Sequence, residues 1–235
     1  MSRKKYIVFF DFDNTITPFD VLDHLIERFS IDEDWKMFEE EWEAGKIGSK
    51  ECLEGQLRSV RVTQEVLSQY LATVPVDPFF PRLLDLLKRK GIESIIVSDS
   101  FSFIIKEILK HNGIKGGKVY ANRIRFEEDR LFPSFPFWSE DCSRCAHCKK
   151  RHVLEHADKT TVYVGDGLSD LCPAEHADLV FAKGSLLDHL LKKKRRCRDF
   201  RDLRDVYASF EELELAERKS LKVFPVANPA LKLVS

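Results

Sequence analysis

The chain has 235 residues, of which 43% are hydrophobic, so it can bury the core of one domain, or of one domain with an insert. Its 38 basic and 39 acidic residues give a net charge of −1, which argues against a dedicated nucleic-acid binder. No run reaches the roughly 18 apolar residues of a membrane-spanning helix. The apolar run behind the N-terminal charges is too short for a signal peptide, so we expect a cytoplasmic protein with reduced cysteines.

Short apolar runs predict the strands of a parallel sheet. They lie at residues 6–10, 95–97, 162–164 and 179–181. Runs of this length that end in polar turn residues are typical of central strands buried on both faces. Apolar residues at helical spacing in 80–87 and 101–108 predict helices between them. The alternation predicts an α/β fold with a doubly wound parallel sheet.

Residues 16–78 interrupt this alternation, because no segment of them has a convincing strand pattern. Thr17 and Pro18 suit the N-cap and first position of a helix, and two or three further helices fit before the next strand. We interpret 16–78 as a helical cap inserted after the first strand, which leaves 1–15 and 79–235 as the core.

Two later stretches are less regular. The pattern in 117–148 suggests a hairpin, and the tail from about 217, with Pro225 and Pro229, suggests an irregular end. The basic run 192–198 follows a helical pattern, where cations at the helix C-terminus are favourable. We therefore interpret it as a solvated helix end rather than as a nucleic-acid or membrane surface.

The residues directly after the first strand carry the strongest chemical signal. Asp11 and Asp13 stand two residues apart, where the run 6–10 ends. Ligands of open parallel sheets bind at the carboxyl ends of strands, so the two carboxylates can converge as nucleophile and general acid/base. Carboxylates this close repel each other unless a cation lies between them, which indicates Mg²⁺. Taken alone, such a pair also fits a plain surface turn.

Two other strand ends and a lysine pair supply complementary groups. Ser98-Asp99-Ser100 follows the second run and precedes a predicted helix, where a hydroxyl and backbone N–H groups suit a phosphoryl group. The loop after the third run contains two glycines, which permit a tight turn, and Asp166 and Asp170, which can complete a metal site. Lys149 or Lys150 can neutralise a phosphoryl group.

Together these segments resemble the four motifs of the haloacid dehalogenase superfamily of phosphatases. The matching segments are Phe-Asp-Phe-Asp-Asn-Thr at 10–15, Ser98, a lysine at 149 or 150, and Gly-Asp-Gly-Leu-Ser-Asp at 165–170. The resemblance covers about residues 6–190 and implies a Rossmann-like core and a Mg²⁺-dependent phosphomonoesterase. The insert resembles the helical cap of the phosphoserine-phosphatase-like branch.

The resemblance implies a role for each matching residue. Asp11 is expected to form an aspartyl-phosphate, while Asp13 protonates the leaving oxygen, later activates water and offers its backbone carbonyl to the metal. Ser98 and Lys149, which we favour over Lys150, are expected to hold the phosphoryl group. The expected metal ligands are Asp11, Asp13, Asp166 and Asp170. The expected substrate-binding residues are Thr15, which would also order its loop, Asp99, Ser100 and Gly167.

The second motif and a cysteine-rich segment reduce the number of candidate substrates. Phosphoserine phosphatases usually have Ser-Gly-Gly where this chain has Ser-Asp-Ser at 98–100, which weighs against phosphoserine. The segment 142–149 resembles one in the methionine-salvage phosphatases that act on 2-hydroxy-3-keto-5-methylthiopentenyl-1-phosphate, and one in phosphoethanolamine/phosphocholine phosphatases. In the second group, the acid after the motif serine would meet a cationic head group, so Asp99 is the expected substrate-selecting residue.

Other functions stay open at this point. A phosphoserine phosphatase or a related phosphotransferase is the alternative within the enzyme class, and a non-catalytic binding or regulatory protein of the same fold is the alternative outside it. The expected partner is a small phosphate ester, without nucleic acid or membrane, and the chain is a monomer or a homodimer.

The cysteines raise the question of a second metal. Cys142, Cys145 and Cys148 are each three residues apart. A structural zinc site needs four tetrahedral ligands, commonly from two separate pairs. Because all three cysteines lie in one short segment, we favour reduced thiols that pack a loop and keep structural Zn²⁺ as the alternative.

Overall fold

The computed structural model describes residues 5–115, 117–140, 142 and 144–218, and for Leu213–Arg218 it describes the backbone alone. Most of the tail predicted from about 217, including Pro225 and Pro229, lies outside the described residues. In chain order, the elements are β1 (Tyr6–Phe10), α1 (Val21–Phe29), α2 (Trp35–Glu43), α3 (Ser49–Gln56), α4 (Gln64–Leu71), α5 (Phe79–Arg89), β2 (Glu93–Phe101), α6 (Ser102–His111), β3 (Lys118–Glu127), β4 (Arg130–Ser134), α7 (Lys149–Leu154), β5 (Thr160–Gly165), α8 (Leu171–His176), β6 (Leu179–Ala182), α9 (Gly184–Lys192), β7 (Arg198–Asp199) and α10 (Leu203–Arg218).

Contacts divide the chain into two compact units. The first comprises Met1–Ile16, Asp77–Ile95 and Lys150–Ser235, and the second comprises Thr17–Val76 and Ile96–Lys149. The division into a core and a cap at 16–78 stays a prediction. None of the described helices is long and apolar enough to cross a membrane.

One mostly parallel sheet of seven strands confirms the predicted fold class. Its strand order is β4-β3-β2-β1-β5-β6-β7, with helices flanking the sheet. Strands β1, β5, β6 and β7 pair in parallel, and β3 and β4 form an antiparallel hairpin at one edge. In the register of β1 and β5, Phe10 lies opposite Val164, so the two strands end side by side.

The first unit is built on fully buried strands and amphipathic helices. Residues 7–10 of β1 are 0% exposed, which explains their unbroken apolar sequence. Helix α5 buries Phe80, Leu83 and Leu87 at the predicted helical spacing. The predictions of β1, β5, β6 and α5 are therefore confirmed, with small changes in their ends.

The second unit contains the four helices α1–α4, in agreement with the predicted helical segment. The first of them, α1, starts later than predicted, because Asp20 rather than Thr17 is its N-cap. The Oδ1 atom of Asp20 accepts a hydrogen bond from the backbone N–H of Asp23 at 3.0 Å. The Thr17 hydroxyl instead donates to the carbonyl of Phe19 at 2.8 Å. Helices α2 and α3 pack so closely that a Cβ on Gly55 would overlap the Phe38 ring.

Three features of the sheet differ from the prediction. Strand β2 continues through Ser98 to Phe101, and α6 starts at Ser102 instead of directly after the motif. The hairpin of β3 and β4 was predicted, but its membership of the sheet was not, because β3 has only two buried residues, Ala121 and Asn122, and no long apolar run. The basic run ends α9 at Lys192 as expected, but Arg198 enters β7, which is too short to leave a pattern in the sequence.

Candidate active site

In the first unit, three carboxylates meet where β1 and β5 end. Asp11 follows β1 directly, while Asp166 and Asp170 follow β5. One oxygen from each of these residues lies within 4.8 Å of the others, and Asp11 and Asp170 are buried. We call Asp11, Asp166 and Asp170 the motif carboxylates. Their position at the carboxyl ends of neighbouring parallel strands is the usual place for a ligand in such a sheet.

Asp170 is fixed by hydrogen bonds on both oxygens. Its Oδ1 accepts the Tyr163 hydroxyl at 2.6 Å, and its Oδ2 accepts the backbone N–H groups of Asp166 at 3.0 Å and Gly167 at 3.2 Å. A Cβ on Gly165 would overlap the same carboxylate, so glycine is needed there for space. Asp170 therefore ties the loop after β5 into one shape, which orients Asp166.

The loop after β1 is also held in place. The backbone N–H of Asp11 donates to the carbonyl of Val164 at 2.9 Å, which links the nucleophile candidate to β5. Asn14 adopts a left-handed conformation with φ 55°, which asparagine tolerates better than most residues. Thr15 then donates its hydroxyl to Asp166 Oδ1 at 2.9 Å. Thr15 thus positions a motif carboxylate, in addition to ordering its own loop.

The motif carboxylates fit a magnesium ion. Three carboxylates in close proximity, two of them buried, repel one another unless a cation offsets their charge. Carboxylate oxygens are the ligands that Mg²⁺ prefers. Asp13, the fourth predicted ligand, is half-buried, and its carboxylate is not part of this group. Among the described residues, this is the one such group, so Cys142, Cys145 and Cys148 do not form a comparable metal site and structural Zn²⁺ has no support.

In the second unit, the second motif is buried and hydrogen-bonded within itself. Ser98 and Ser100 are 1% and 2% exposed, and the Ser100 backbone N–H donates to Ser98 Oγ at 3.0 Å. Lys149 is 2% exposed, and its Nζ lies 4.0 Å from Asp99 Oδ2. Lys150, its neighbour, is only half-buried. A buried ammonium beside this motif is suited to an anionic group.

Two buried side chains hold the backbone of the second motif. Asn122 Nδ2 donates to the carbonyl of Asp99 at 2.7 Å, and His147 Nδ1 lies 3.0 Å from the carbonyl of Ser98. The His147 ring stacks on Phe137, with their ring centroids 4.7 Å apart. These contacts give the β2 carbonyls beyond Val97 hydrogen-bond partners and so hold the second motif in place.

Acidic residues of α1 and α2 also lie in the second unit. Burial raises the pKa of Asp20, although hydrogen bonds from the backbone of Asp23 and Leu22 and the positive charge of Lys149 lower it. Burial, with the charges of Asp20 and Glu39, raises the pKa of Asp23 to about 7. The pKa of Glu39 is raised as well, chiefly by burial. We call Asp20, Asp23 and Glu39 the α1–α2 acids.

A family model described as "Putative Phosphatase" matches residues 6–199 of the chain. The chain is a phosphatase of the haloacid dehalogenase superfamily. The expected class of enzyme, which acts on a small organic phosphate, is thereby confirmed.

Individual relatives of this phosphatase agree with that assignment. It is 28% identical, over 79% of its length and 86% of the relative's, to the 2-hydroxy-3-keto-5-methylthiopentenyl-1-phosphate phosphatase of Brevibacillus brevis. It is 27% identical, over 77% of its length and 53% of the relative's, to the phosphoserine phosphatase of Archaeoglobus fulgidus. A solved phosphoserine phosphatase, described as a phospho-aspartyl intermediate analogue, has the same fold, with a TM-score of 0.67, 22% identity and coverage of 87% of this chain and 98% of that one.

Sequence reasoning missed three residues that position the phosphatase motifs. Tyr163 lies inside a buried strand, Asn122 in the hairpin, and His147 beside the cysteines. No local pattern marks them, since their partners are 7, 23 and 49 residues away in the chain. The backbone N–H of Gly167 donates a hydrogen bond to Asp170, and a Cβ added at Gly167 would meet no other atom within 4 Å.

Proposed function

We propose that this phosphatase hydrolyses a small phosphomonoester in the presence of Mg²⁺, through an aspartyl-phosphate on Asp11. The observation that carries the proposal is the meeting of Asp11, Asp166 and Asp170 at the ends of β1 and β5. One carboxylate that attacks phosphorus, next to others that can share a cation with it, is suited to phosphoryl transfer.

The first step transfers the phosphoryl group to the enzyme. A carboxylate oxygen of Asp11 attacks phosphorus in line with the ester oxygen, a phosphorus–oxygen bond to Asp11 forms, and the bond to the alcohol breaks. Asp13, as the carboxylic acid, gives its proton to the departing alcohol oxygen. The products are the free alcohol, an aspartyl-phosphate and the Asp13 carboxylate.

The second step releases phosphate. The Asp13 carboxylate takes a proton from a water molecule, whose oxygen attacks the same phosphorus while the bond to Asp11 breaks. Inorganic phosphate leaves, and Asp11 and Asp13 return to their starting states. One residue thus acts as acid and then as base, so no further proton carrier is needed.

The remaining motif residues stabilise charge in this proposal. Mg²⁺ would be held by Asp11 and Asp166, with the Asp13 carbonyl as a further ligand and Asp170 in support, and it would offset the charge of the phosphoryl group. Lys149 and the Ser98 hydroxyl would bind phosphoryl oxygens. Substrate would also meet Thr15, Ser100 and Gly167.

Three candidate substrates can be ranked. The methionine-salvage enol phosphate comes first, because several relatives that match most of this chain bear that name. A phosphate with a cationic head group, such as phosphoethanolamine, comes second, because Lys149 interacts with two carboxylates, Asp20 and Asp99. A carboxylate near the phosphate-binding lysine can select such a substrate by its charge. Phosphoserine is the third choice, since Asp99 and Ser100 replace two glycines.

Two features of the wider protein belong to the same proposal. The cap at 16–78 would close over the substrate and exclude water, which protects the aspartyl-phosphate from untimely hydrolysis. The enzyme would work in the cytoplasm, where its six cysteines would stay reduced.

The test is phosphate release from a panel of small phosphomonoesters. The panel contains the methionine-salvage enol phosphate, phosphoethanolamine, phosphocholine, phosphoserine, pyridoxal phosphate and a nucleotide, each assayed with Mg²⁺ and with EDTA. Asp11→Asn serves as the blank. We expect one preferred substrate, release that needs Mg²⁺, and none from the variant.

A chemical trap tests the intermediate separately. Rapid acid quench with a ³²P-labelled substrate should leave one labelled protein band, which is absent from Asp11→Asn and released by hydroxylamine, as expected of an acyl phosphate. A labelled Asp11→Asn band, or full turnover in EDTA, would contradict the mechanism while leaving the enzyme class intact.

A further inference from the structure

A cavity of about 400 Å³ lies in the second unit, outside the four motifs. It is lined by three arginines, one glutamate and four apolar residues. Arg58 follows α3, Arg61 lies between α3 and α4, and Arg130 begins β4. The fold thus brings three positive charges to one concave surface from separate parts of the chain.

The lining of this cavity is positively charged, because its three arginines outnumber its one acid. Among the described residues, none of the three arginines has a carboxylate oxygen within 4.0 Å. Glu54, the acid in the lining, is paired with Lys50 at 3.3 Å. Like charges held together without a counter-ion repel one another, so an anion in the cavity would be bound favourably.

Arg61 is held in place before any ligand arrives. Its Nη1 donates to the carbonyls of Arg58 at 2.7 Å and Val60 at 2.8 Å, which uses both hydrogens of that nitrogen. Its Nε and Nη2 groups keep their hydrogens for another acceptor, and these two nitrogens form the fork that matches a carboxylate or a phosphate. A guanidinium fixed in this way loses little side-chain entropy on binding.

The rest of the lining is apolar. Leu57 and Leu131 are 2% and 6% exposed and form part of the wall, while Phe132 is 38% exposed beside them. The guanidinium of Arg125 lies 5.0 Å from the centre of the Phe132 ring. Pockets with apolar walls and a few fixed polar groups are typical of sites for small organic ligands.

We propose that this cavity binds a small organic polyanion, a compact molecule that carries two or more carboxylate or phosphate groups on an apolar body. Arg61 provides a bidentate contact, and Arg58 and Arg130 contact the other anionic groups. The volume of about 400 Å³ is within the range of roughly 300–1,000 Å³ for small-molecule pockets, which favours such a ligand over an acidic peptide.

Calorimetric titration of the full chain with benzene-1,3,5-tricarboxylate tests the site. This probe has three carboxylates on a flat apolar ring and cannot be hydrolysed as a phosphate ester. Arg58→Gln and Arg130→Gln each remove one charge from exposed residues. Arg89→Gln, which changes an exposed arginine of the first unit, is the matched control. Titration with methylenebisphosphonate in the same series shows whether phosphate groups bind better than carboxylates.

We expect the tricarboxylate or the bisphosphonate to bind, with Kd at least about tenfold higher in Arg58→Gln and in Arg130→Gln and within about twofold in Arg89→Gln. Turnover of a small phosphomonoester should stay unchanged in all three. If neither probe binds at concentrations up to about 10 mM, or if Arg89→Gln weakens binding as much as the two cavity variants do, the proposal is overturned. Binding of poly-glutamate without binding of either small probe also overturns it, in favour of an acidic peptide.

Discussion

Two groups of acidic side chains in this phosphatase, the motif carboxylates and the α1–α2 acids, have different surroundings. Of the motif carboxylates, Asp166 accepts a hydrogen bond from Thr15, and Asp170 accepts hydrogen bonds from Tyr163 and two backbone N–H groups. Among the α1–α2 acids, Asp20 caps a helix, while burial raises the pKa of Asp23 and Glu39. Hydrogen bonds fix the orientation of Asp166 and Asp170, whereas the raised pKa values of Asp23 and Glu39 mean that these two carboxyls hold a proton more readily.

This difference distinguishes the two groups by function as well. A cation site needs ligand oxygens in fixed positions, and the hydrogen bonds to Asp166 and Asp170 hold their oxygens in place. Among the α1–α2 acids, Asp23 is suited to another task, because a carboxyl whose pKa is about 7 changes charge with small changes of pH or of a neighbouring ligand. The following predictions test the contrast.

The largest effect is expected from the motif carboxylates themselves. Asp11→Asn removes the attacking oxygen, so phosphate release should fall at least about 100-fold. The melting temperature should not fall, because the change also removes repulsion among buried charges. Asp85→Asn, on the exposed face of α5, is the matched control and should keep full activity. Activity of Asp11→Asn above about one hundredth of wild type would exclude Asp11 as the nucleophile.

A steric change behind the motif carboxylates should come next. Gly165→Ala places a methyl group against Asp170 and the Tyr163 ring, so the free energy of unfolding should fall by about 3 kcal/mol. Gly167→Ala is the matched control, because nothing lies within 4 Å of its added carbon. Urea unfolding measures both, and equal losses in the two variants would show that packing against Asp170 is unimportant.

Loss of one donor to Asp170 should have a smaller effect. Tyr163→Phe removes the hydroxyl that donates at 2.6 Å to a buried carboxylate, so we expect a loss of about 2 kcal/mol in the free energy of unfolding. The Mg²⁺ concentration for half-maximal activity should rise as well, since the loop that carries Asp166 is less well held. Tyr207→Phe removes an exposed hydrogen bond of 3.3 Å to Glu211 and should change neither quantity. An unchanged Mg²⁺ requirement in Tyr163→Phe would limit this hydroxyl to a role in stability.

The acids around Lys149 should influence substrate choice more than rate. Asp99→Ala removes the carboxylate 4.0 Å from Lys149 Nζ, so the ratio of kcat/KM for phosphoethanolamine to that for p-nitrophenyl phosphate should change by about tenfold. Asp188→Ala, at an exposed position of α9, is the control. If Asp99→Ala lowers kcat/KM for both substrates equally, Asp99 has no selective role.

The smallest effect concerns pH and stability. Because the pKa of Asp23 is raised from 3.8 to about 7 in the folded protein, the folded state binds more protons than the unfolded state between these values, and stability falls as pH rises through that window. Asp23 keeps solvent access, so the contribution should be below about 1 kcal/mol. Urea unfolding at pH 5, 6 and 7 should therefore show that the free energy of unfolding of wild type, relative to that of Asp23→Asn, falls as pH rises. The difference between wild type and Asp188→Asn should not change with pH. A constant difference between wild type and Asp23→Asn would contradict the raised pKa.

The sequence predicts the residues of the phosphatase motifs better than it predicts the residues that hold those motifs in position. Asp11 and Asp166 could be predicted to meet because unbroken apolar runs mark buried parallel strands, and the ends of such strands share one edge of the sheet. The hydrogen bond from Tyr163 to Asp170 could not be predicted, because a tyrosine in a buried strand leaves the same apolar pattern whether or not its hydroxyl has a specific partner. Asn122 and His147 reach their partners only through tertiary folding.

The same reasoning explains the gaps in the predicted sheet. Strand β3 buries only Ala121 and Asn122 and has half-buried and exposed residues elsewhere, which is typical of a free-standing hairpin as much as of a sheet edge. Strand β7 has two residues, too few for any periodicity, and it depends on pairing with β6. Elements that receive their stability from neighbours rather than from their own residues leave the weakest trace in a sequence.

The two edge strands of the sheet affect how the protein behaves at high concentration. Strand β4 carries Pro133, which has no N–H to offer to an incoming strand, and β7 presents only two residues. Aggregation by strand addition needs a long, unbroken row of backbone donors and acceptors, and neither edge provides one. The residues of β4 and the shortness of β7 therefore hinder the addition of a further strand at either edge of the sheet. This protects the chain against fibre-like self-association during folding and in the folded state.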